Sequence, residues 1–264
     1  MAFEELKHKQ STMWDSAPFE RVAEHIADIH EDLVERLEPL AGTQFLDVAC
    51  GTGGVSERAA ARGANVTGTD FAPGLLETAR GRAAARGLEI RYEVGDAEAL
   101  PYEDASFDVV ASCFGVMFAP DHRAAAEELT RVCRSGGRLG LASWTPDGGI
   151  GDLFRLVASF QPPPPPDAGN PLAWGTREHV RELLEGSFEL EFVDLESPQL
   201  GESGEQLWEL FSTSFGPSKT LADALPPDRR DEYHRATVEF YEDYRVDGGI
   251  RHPRHYLVTI GRRR

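Results

Sequence analysis

The stretch FLDVACGTGG, residues 45–54, places an acid, Asp47, and two glycines, Gly51 and Gly53, directly behind an apolar run. A strand that ends in glycines and feeds a helix presents backbone N–H groups at the helix start and lets a ligand approach the chain closely. A second apolar run, ANVTGTD at 64–70, closes on Asp70. An acid at the end of the second strand of such a unit suits a ribose, because its two oxygens accept from two neighbouring hydroxyls. A third run, LEIRYEVGD at 88–96, closes on another acid, Asp96. A glycine-rich turn alone is weak evidence. The turn, the ribose acid and the third acid, in that order, make a much stronger case for a ribose-bearing ligand.

These acids need strands to carry them and helices to connect them. QFLDVA (44–49), ANVTGTD (64–70), LEIRYEVGD (88–96), a strand within FDVVASCFGVMF (107–118) and RLGLASW (138–144) are apolar runs of strand length. Helical stretches lie between them: Gly53 to Arg62, Pro73 to Arg86, and DHRAAAEELTRVCR (121–134), which Gly136 and Gly137 should stop. Strands alternating with helices imply crossovers and a parallel sheet, and right-handed crossovers make it doubly wound. FELEFVDLES (188–197) and HYLVTIGRR (255–263) supply strands six and seven, with a helical insertion between them. Ahead of the sheet, FERVAEHIADIHEDLVERLE (19–38) reads as one amphipathic helix, with Val22, Ile26, Ile29, Leu33 and Leu37 on one face. The consecutive prolines at 162–166 form a stiff, exposed loop.

The chain has 264 residues, with 45 Asp and Glu against 27 Lys and Arg, and a formal net charge of -18. Such a surface repels phosphate backbones and argues against nucleic acid as a partner. Only the tail, Arg262 to Arg264 with Arg251 and Arg254, gathers positive charge, and its plain reading is a solvated terminus. No apolar run approaches the ~20 residues of a membrane-spanning helix. The opening MAFEELKHKQ has no apolar stretch behind its charges, so neither a secretory signal nor a membrane partner is expected, and a cytoplasmic location is. Cys50, Cys113 and Cys133 lack metal-ligand spacing; reduced, mostly buried thiols and no metal are expected.

In LDVACGTG (46–53), GTDFAPGLLETAR (68–80), GDAEALPYEDASFDVV (95–110) and LTRVCRSGGRLGLASW (129–144), the chain resembles the class I S-adenosylmethionine-dependent methyltransferases, in the branch of ubiquinone- and menaquinone-type and related small-molecule enzymes. The motifs stand in the family's order across residues 44–144; they are specific for the class and say little about the acceptor. Ala49 stands where the family's first motif has its first glycine. The resemblance implies an α/β, Rossmann-like, seven-stranded, mostly parallel sheet with helices on both faces and a helical cap insertion. The expected units are 1–43, an N-terminal lid and helix; 44–199 with 247–264, the core; and 200–246, the cap. The resemblance also implies S-adenosylmethionine as cofactor and S-adenosylhomocysteine as product. It places Asp47, Ala49, Cys50, Gly51 and Gly53 along the methionine part. Asp70 would bind the ribose hydroxyls, with Phe71 packed on the adenine. Asp96 would accept from the adenine amine, with Ala97 beside it, and Cys113 and Phe114 would face the sulfonium or adenine. A nicotinamide dehydrogenase needs a third glycine where Ser56 stands, and its pyrophosphate favours positive charge, of which the sequence shows none near the turn.

Methyl transfer is an in-line displacement at a carbon already activated by the sulfonium, so positioning and desolvation can supply much of the catalysis. A base is needed only where the acceptor loses a proton. His122, just past the fourth strand, is the candidate base, against the plain reading of a surface histidine at a helix start; His179 and His234 are weaker. In relatives, a segment such as 9–20 folds over the cofactor as a lid. Its Trp14, with Met117, Phe118 and Trp144, is a candidate acceptor contact. Trp174, Trp208, Phe211, Phe215 and Tyr241 could join them or be plain core. The reading is methyl transfer to a small-molecule acceptor, oxygen or carbon favoured, by a monomer or homodimer. Its rivals are a non-catalytic S-adenosylmethionine-binding or scaffold protein and a protein-directed methyltransferase.

Overall fold

The computed structural model describes residues 3–264. The chain opens with α1 (Glu4–Trp14), a short α2 (Glu20–Ala23), a 3-10 turn (Glu24–Ile26) and α3 (Ala27–Leu37). The single helix expected over 19–38 is therefore broken at Glu24–Ile26, and the 9–20 segment carries most of a helix that no apolar periodicity announces. Of α1, only Lys7 and Trp14 are buried, so its place is set by what it meets elsewhere in the chain. α3 is different: Ile29, Leu33 and Leu37 have no exposed surface, and each buried side chain of this kind contributes about 1.5–3 kcal/mol.

The alternation then runs β1 (Gln44–Val48), α4 (Gly54–Ala61), β2 (Asn65–Asp70), α5 (Pro73–Ala85), β3 (Ile90–Val94), β4 (Phe107–Cys113), α6 (His122–Val132) and β5 (Cys133–Trp144). These five strands are parallel. Gly136 and Gly137 do not stop α6. The helix ends at Val132, the chain enters β5 at once, and the glycines lie inside that strand beside a register shift against β4, with Gly136 at φ 75°.

The second half comprises α7 (Gly149–Ala158), α8 (Arg177–Leu184), β6 (Phe188–Glu196), β7 (Gln199–Gly201), α9 (Gly204–Ser214), α10 (Gly216–Ala224), α11 (Pro227–Glu242), β8 (Arg245–Val246), β9 (Gly249–His252) and β10 (His255–Arg263). β10 inserts antiparallel between β5 and β6, giving the order β3-β2-β1-β4-β5-β10-β6. The sheet is thus seven-stranded and mostly parallel. The insertion is not purely helical: β7, β9 and β8 form a small sheet at its root, and that sheet crosses the expected 200–246 boundaries on both sides.

From β1 the chain steps outward through β2 to β3, then returns to β4 and steps the other way to β5. Right-handed crossovers put α4 and α5 on one face and α6 on the other. The reversal between β1 and β4 opens a crevice at the strands' carboxyl ends, where sheets of this kind bind ligands. Asp47, Asp70 and Cys113 all lie at those ends.

Candidate active site

The turn after β1 departs from ordinary backbone. Ala49, Gly51 and Gly53 have φ of 53°, 54° and 85°. At Gly53 a Cβ would collide with Tyr92 Oη, so only glycine fits. Ala49 accepts the left-handed conformation at a cost of about 1–2 kcal/mol.

Asp47 is 1 % exposed, and its Oδ2 accepts from both Ser56 N at 2.9 Å and Ser56 Oγ at 2.7 Å. These bonds fix the start of α4 against β1. Burial pushes its carboxyl up to about 7. Asp70 is 4 % exposed; Oδ2 accepts from Gly51 N and Oδ1 from Ala72 N, both at 2.9 Å. Burial raises it to about 6 against the pull of those amides. One bond per oxygen leaves a lone pair on each for a further donor.

Asp96 is occupied from outside the sheet. Lys7 Nζ of α1 donates to Asp96 Oδ2 at 2.6 Å and to Glu98 Oε2 at 2.9 Å, and Glu98 N donates to Asp96 Oδ1 at 2.9 Å. α1 makes further polar contacts across the crevice. Ser11 Oγ donates to Phe71 O at 2.9 Å, and Gln10 Nε2 donates to Phe118 O at 3.1 Å. Just past the helix, Asp15 Oδ1 accepts from Gly74 N and Leu75 N at 3.0 and 3.2 Å. Asp15 thereby caps α5, whose own preceding residue, Ala72, has no side-chain oxygen. Trp14 meets Phe19, Phe118 and Phe215 edge-on, with centroids 5.6, 5.3 and 5.4 Å away. Phe19 in turn covers the turn: its Cε1 lies 3.5 Å from where a Cβ on Gly51 would be. One element thus touches the loops after β2, β3 and β4. Sequence reasoning missed Lys7, although it is one of only three lysines in an arginine-rich chain.

At the other side of the crevice, Phe114 has φ 57° and stacks on Trp144 at 3.8 Å. Tyr256 closes on both rings at 6.0 and 6.1 Å, and the Arg254 guanidinium lies 5.4 Å from Trp144. Arg254, expected in a solvated tail, is 4 % exposed. Cys50 is buried and Cys113 half-buried; burial holds both thiols well above their ordinary value, so neither is a ready nucleophile. Phe71 joins the Trp14 cluster, and Ala97 packs on the main core.

Two expectations fail on placement. Met117 has no exposed surface and belongs to the main core, so it cannot touch an acceptor. His122 is sealed between α6 and the 169–179 segment. Its Nδ1 is 2.8 Å from His179 Nε2, its Nε2 is buried without a partner, and Gly169 packs directly on the ring. Burial and His179 lower it to about 4. An imidazole with neither nitrogen accessible is no base for an acceptor. Trp174 is buried beside it, and Trp208 and Tyr241 pack within the cap. His234 is held by Glu205 on the cap's surface.

A third correction concerns charge. A cavity of about 120 Å³ beside Thr52 and Gly54 is lined by His30, Arg58, Arg82 and Arg86. Arg58 comes from α4, Arg82 from α5 and Arg86 from just past its end, and only helix packing brings them to the turn. They are partly neutralised: Arg82 and Arg86 bond the buried Glu57, and Arg58 bonds Glu31. Among the described residues, no group of three His, Cys, Asp or Glu could hold a metal ion, and no helix is long and apolar enough to cross a membrane.

Residues 46–141 match the family model described as a methyltransferase domain. That stretch of the chain is thus similar to a methyltransferase domain. The domain spans β1 through most of β5, the crevice included. An uncharacterized protein of Mycobacterium tuberculosis (strain ATCC 25618 / H37Rv) is 42 % identical over 178 residues, 67 % of this chain and 64 % of that protein. The demethylmenaquinone methyltransferase of Thermus thermophilus is 43 % identical over 122 residues, 44 % of this chain and 54 % of the relative. The chain thus spans less than two thirds of the length of these relatives. Among solved structures, a geranyl diphosphate methyltransferase in complex with S-adenosylmethionine shares the fold, with TM-score 0.56 and 20 % identity, covering 90 % of this chain and 85 % of that one.

Proposed function

We propose that the protein transfers a methyl group from S-adenosylmethionine to a small-molecule acceptor, oxygen or carbon favoured, as a cytoplasmic monomer or homodimer. The observation that carries this reading is Asp70, a buried carboxylate at the end of β2, tied to the glycine turn by Gly51 N and keeping one lone pair per oxygen. That donor-poor, acceptor-rich setting fits a ribose edge. Asp96, with one partner on each oxygen, retains capacity for the adenine amine. The cationic cavity at Thr52 and Gly54 fits the carboxylate of the methionine part. When bound, the cofactor supplies a methyl on a sulfonium that needs no further activation. The chain's own residues then bind, orient and exclude water. Asp47 fixes the turn, α1 covers the crevice as a lid, and Trp14, Phe118 and Trp144 give the crevice its aromatic walls.

Calorimetric titration of S-adenosylhomocysteine into the wild type and Asp70→Ala tests this reading. Micromolar binding lost in the variant is expected; no heat and no thermal shift with the wild type would overturn it. The sealed His122 favours one alternative, a protein that holds S-adenosylmethionine without turnover. Methyl transfer to any acceptor excludes that alternative.

A further inference from the structure

A cavity of about 670 Å³ lies between α2 and the root of the cap. Its size is that of pockets that take whole organic metabolites. Leu200, Leu207 and Leu210 give it an apolar side, and Arg21, Glu24, His25, Glu202 and Glu209 give it a polar one. None of Arg21, Glu24, Glu202 or Glu209 forms an ion pair among the described residues. Three carboxylates against one guanidinium make the rim negative.

His25 is prepared for a ligand by buried neighbours. Arg254 Nη1 donates to Gln199 Oε1 at 2.9 Å, and Gln199 is 1 % exposed. An arginine can only donate, so the amide oxygen must face it. Gln199 Nε2 then donates to Leu200 O and to His25 Nδ1, both at 3.0 Å. An imidazole that accepts at Nδ1 carries its proton on Nε2 when neutral. Arg254 Nη2 also donates to His25 O at 2.7 Å, fixing the backbone. The chain Arg254–Gln199–His25 therefore leaves one N–H donor, His25 Nε2, for whatever enters the cavity.

The cavity borders the glycine turn, because Glu24 lines both it and the smaller cavity beside Thr52 and Gly54. On the α2 side, Phe19 covers Gly51 while Arg21, Glu24 and His25 line the cavity. On the other side, Arg254 lies over Trp144, Trp144 stacks on Phe114, and the next residue, Gly115, presses on Ala49 of the turn.

We propose that this cavity holds the acceptor, and that the acceptor is a neutral amphipathic molecule whose hydroxyl or carbonyl oxygen accepts from His25 Nε2–H. The inference rests on the methyltransferase reading and adds the substrate class. The leucine side takes an apolar body, the imidazole takes an oxygen, and the carboxylate rim rejects acids and phosphates.

The test uses three probes, 2-naphthol, 2-naphthoate and S-adenosylhomocysteine, titrated into the wild type, His25→Phe and Leu200→Arg. Leu200 is 58 % exposed, so arginine there alters the cavity without disturbing a core. Saturable 2-naphthol binding is expected, weakened about three- to tenfold in His25→Phe, as befits one neutral hydrogen bond. It is expected to vanish in Leu200→Arg. 2-Naphthoate should bind about tenfold more weakly than 2-naphthol or worse, and S-adenosylhomocysteine should bind all three proteins alike. No 2-naphthol binding, binding unchanged in both variants, or equal binding of 2-naphthoate would overturn the proposal. Failure of S-adenosylhomocysteine alone would sink the cofactor reading instead, with the naphthol series still reporting on the cavity.

Discussion

Asp70→Asn isolates the charge of the carboxylate proposed to hold a ribose. In the wild type each carboxylate oxygen already accepts one backbone N–H, from Gly51 or Ala72, and keeps one lone pair. Hydrogen bonds to a charged acceptor contribute about 1.5–3 kcal/mol each, and neutral ones about 1 kcal/mol. The amide keeps one acceptor and turns the other position into a donor. Two ribose hydroxyls should then lose about 2–3 kcal/mol together, or ~30- to 150-fold in affinity for S-adenosylhomocysteine. The same change leaves Gly51 N or Ala72 N facing an NH₂ group, a cost of about 1–3 kcal/mol to the empty protein that ligand-free unfolding measures separately. pH supplies the second arm. Burial raises Asp70 to about 6, so below that pH it is protonated and accepts poorly. Wild-type affinity should fall about tenfold from pH 7 to pH 5, because the ligand favours the ionised form. Asp47 is raised to about 7 mainly by burial and in part by the charge of Asp70, so its own titration moves down in the variant, and the difference between the two profiles reports the Asp70 charge both directly and through Asp47. Calorimetry from pH 5 to 8 reads both arms. A variant within threefold of wild type at pH 7.5, or one with the same pH profile, would refute the ribose role.

Lys7→Met removes the cation between Asp96 and Glu98, whose side chains are 26 % and 5 % exposed. Unpaired buried carboxylates cost about 3–5 kcal/mol, more than the contacts of a lone surface helix hold, so α1 should detach. Hydrogen exchange should show residues 4–15 losing protection while the sheet keeps it; unchanged exchange there would contradict the latch. Ser56→Ala strips one of the two donors from Asp47 and should lower unfolding stability by about 1–3 kcal/mol in urea titrations at pH 8, where that carboxylate is charged. For acid sensitivity the signs oppose. Burial lowers His30 to about 3 and His122 and His252 to about 4, so their contribution is full above pH 6.5 and is lost as pH falls towards 4. Asp47 and Asp70 are raised, so they destabilise increasingly as pH climbs from about 4 to 7. Both His252 nitrogens are buried without partners, so His252→Leu should keep its stability near neutrality and show a shallower acid limb in thermal melts between pH 6.5 and 4.

The strands and their terminal acids were legible because the code for them is local. A continuous apolar run, a glycine turn and an acid sit within a few residues of one another, and the sheet keeps them there. α1 was not legible because EELKHKQSTMW lacks an apolar stripe, and its anchor, Lys7, finds Asp96 far along the chain. His122 shows the same limit at finer scale. It lies just past β4, but the first turn of α6 sets its ring against His179, 2.8 Å away. The arginines at the turn were invisible because three positions on or just past two helices become neighbours only after α4 and α5 pack on one face.

Ala49 joins the turn after β1 to the loop after β4. Read locally, it is a departure: a methyl group where the family's motif has glycine, at a φ that side chains avoid. In the fold, the residue facing it is Gly115, where a Cβ would lie 2.5 Å from the Ala49 Cβ. The space that glycine provides in the family's turn is here provided from the loop after β4. Gly115 follows Phe114, whose own left-handed backbone sets its ring flat on Trp144. The methyl of Ala49, the missing side chain of Gly115 and the turned backbone of Phe114 are therefore one packing solution. It spans the reversal between β1 and β4, and it ties the glycine turn to the Phe114–Trp144 stack. A larger side chain at Ala49 would therefore press on the loop after β4 and on the Phe114–Trp144 stack as well as on the turn.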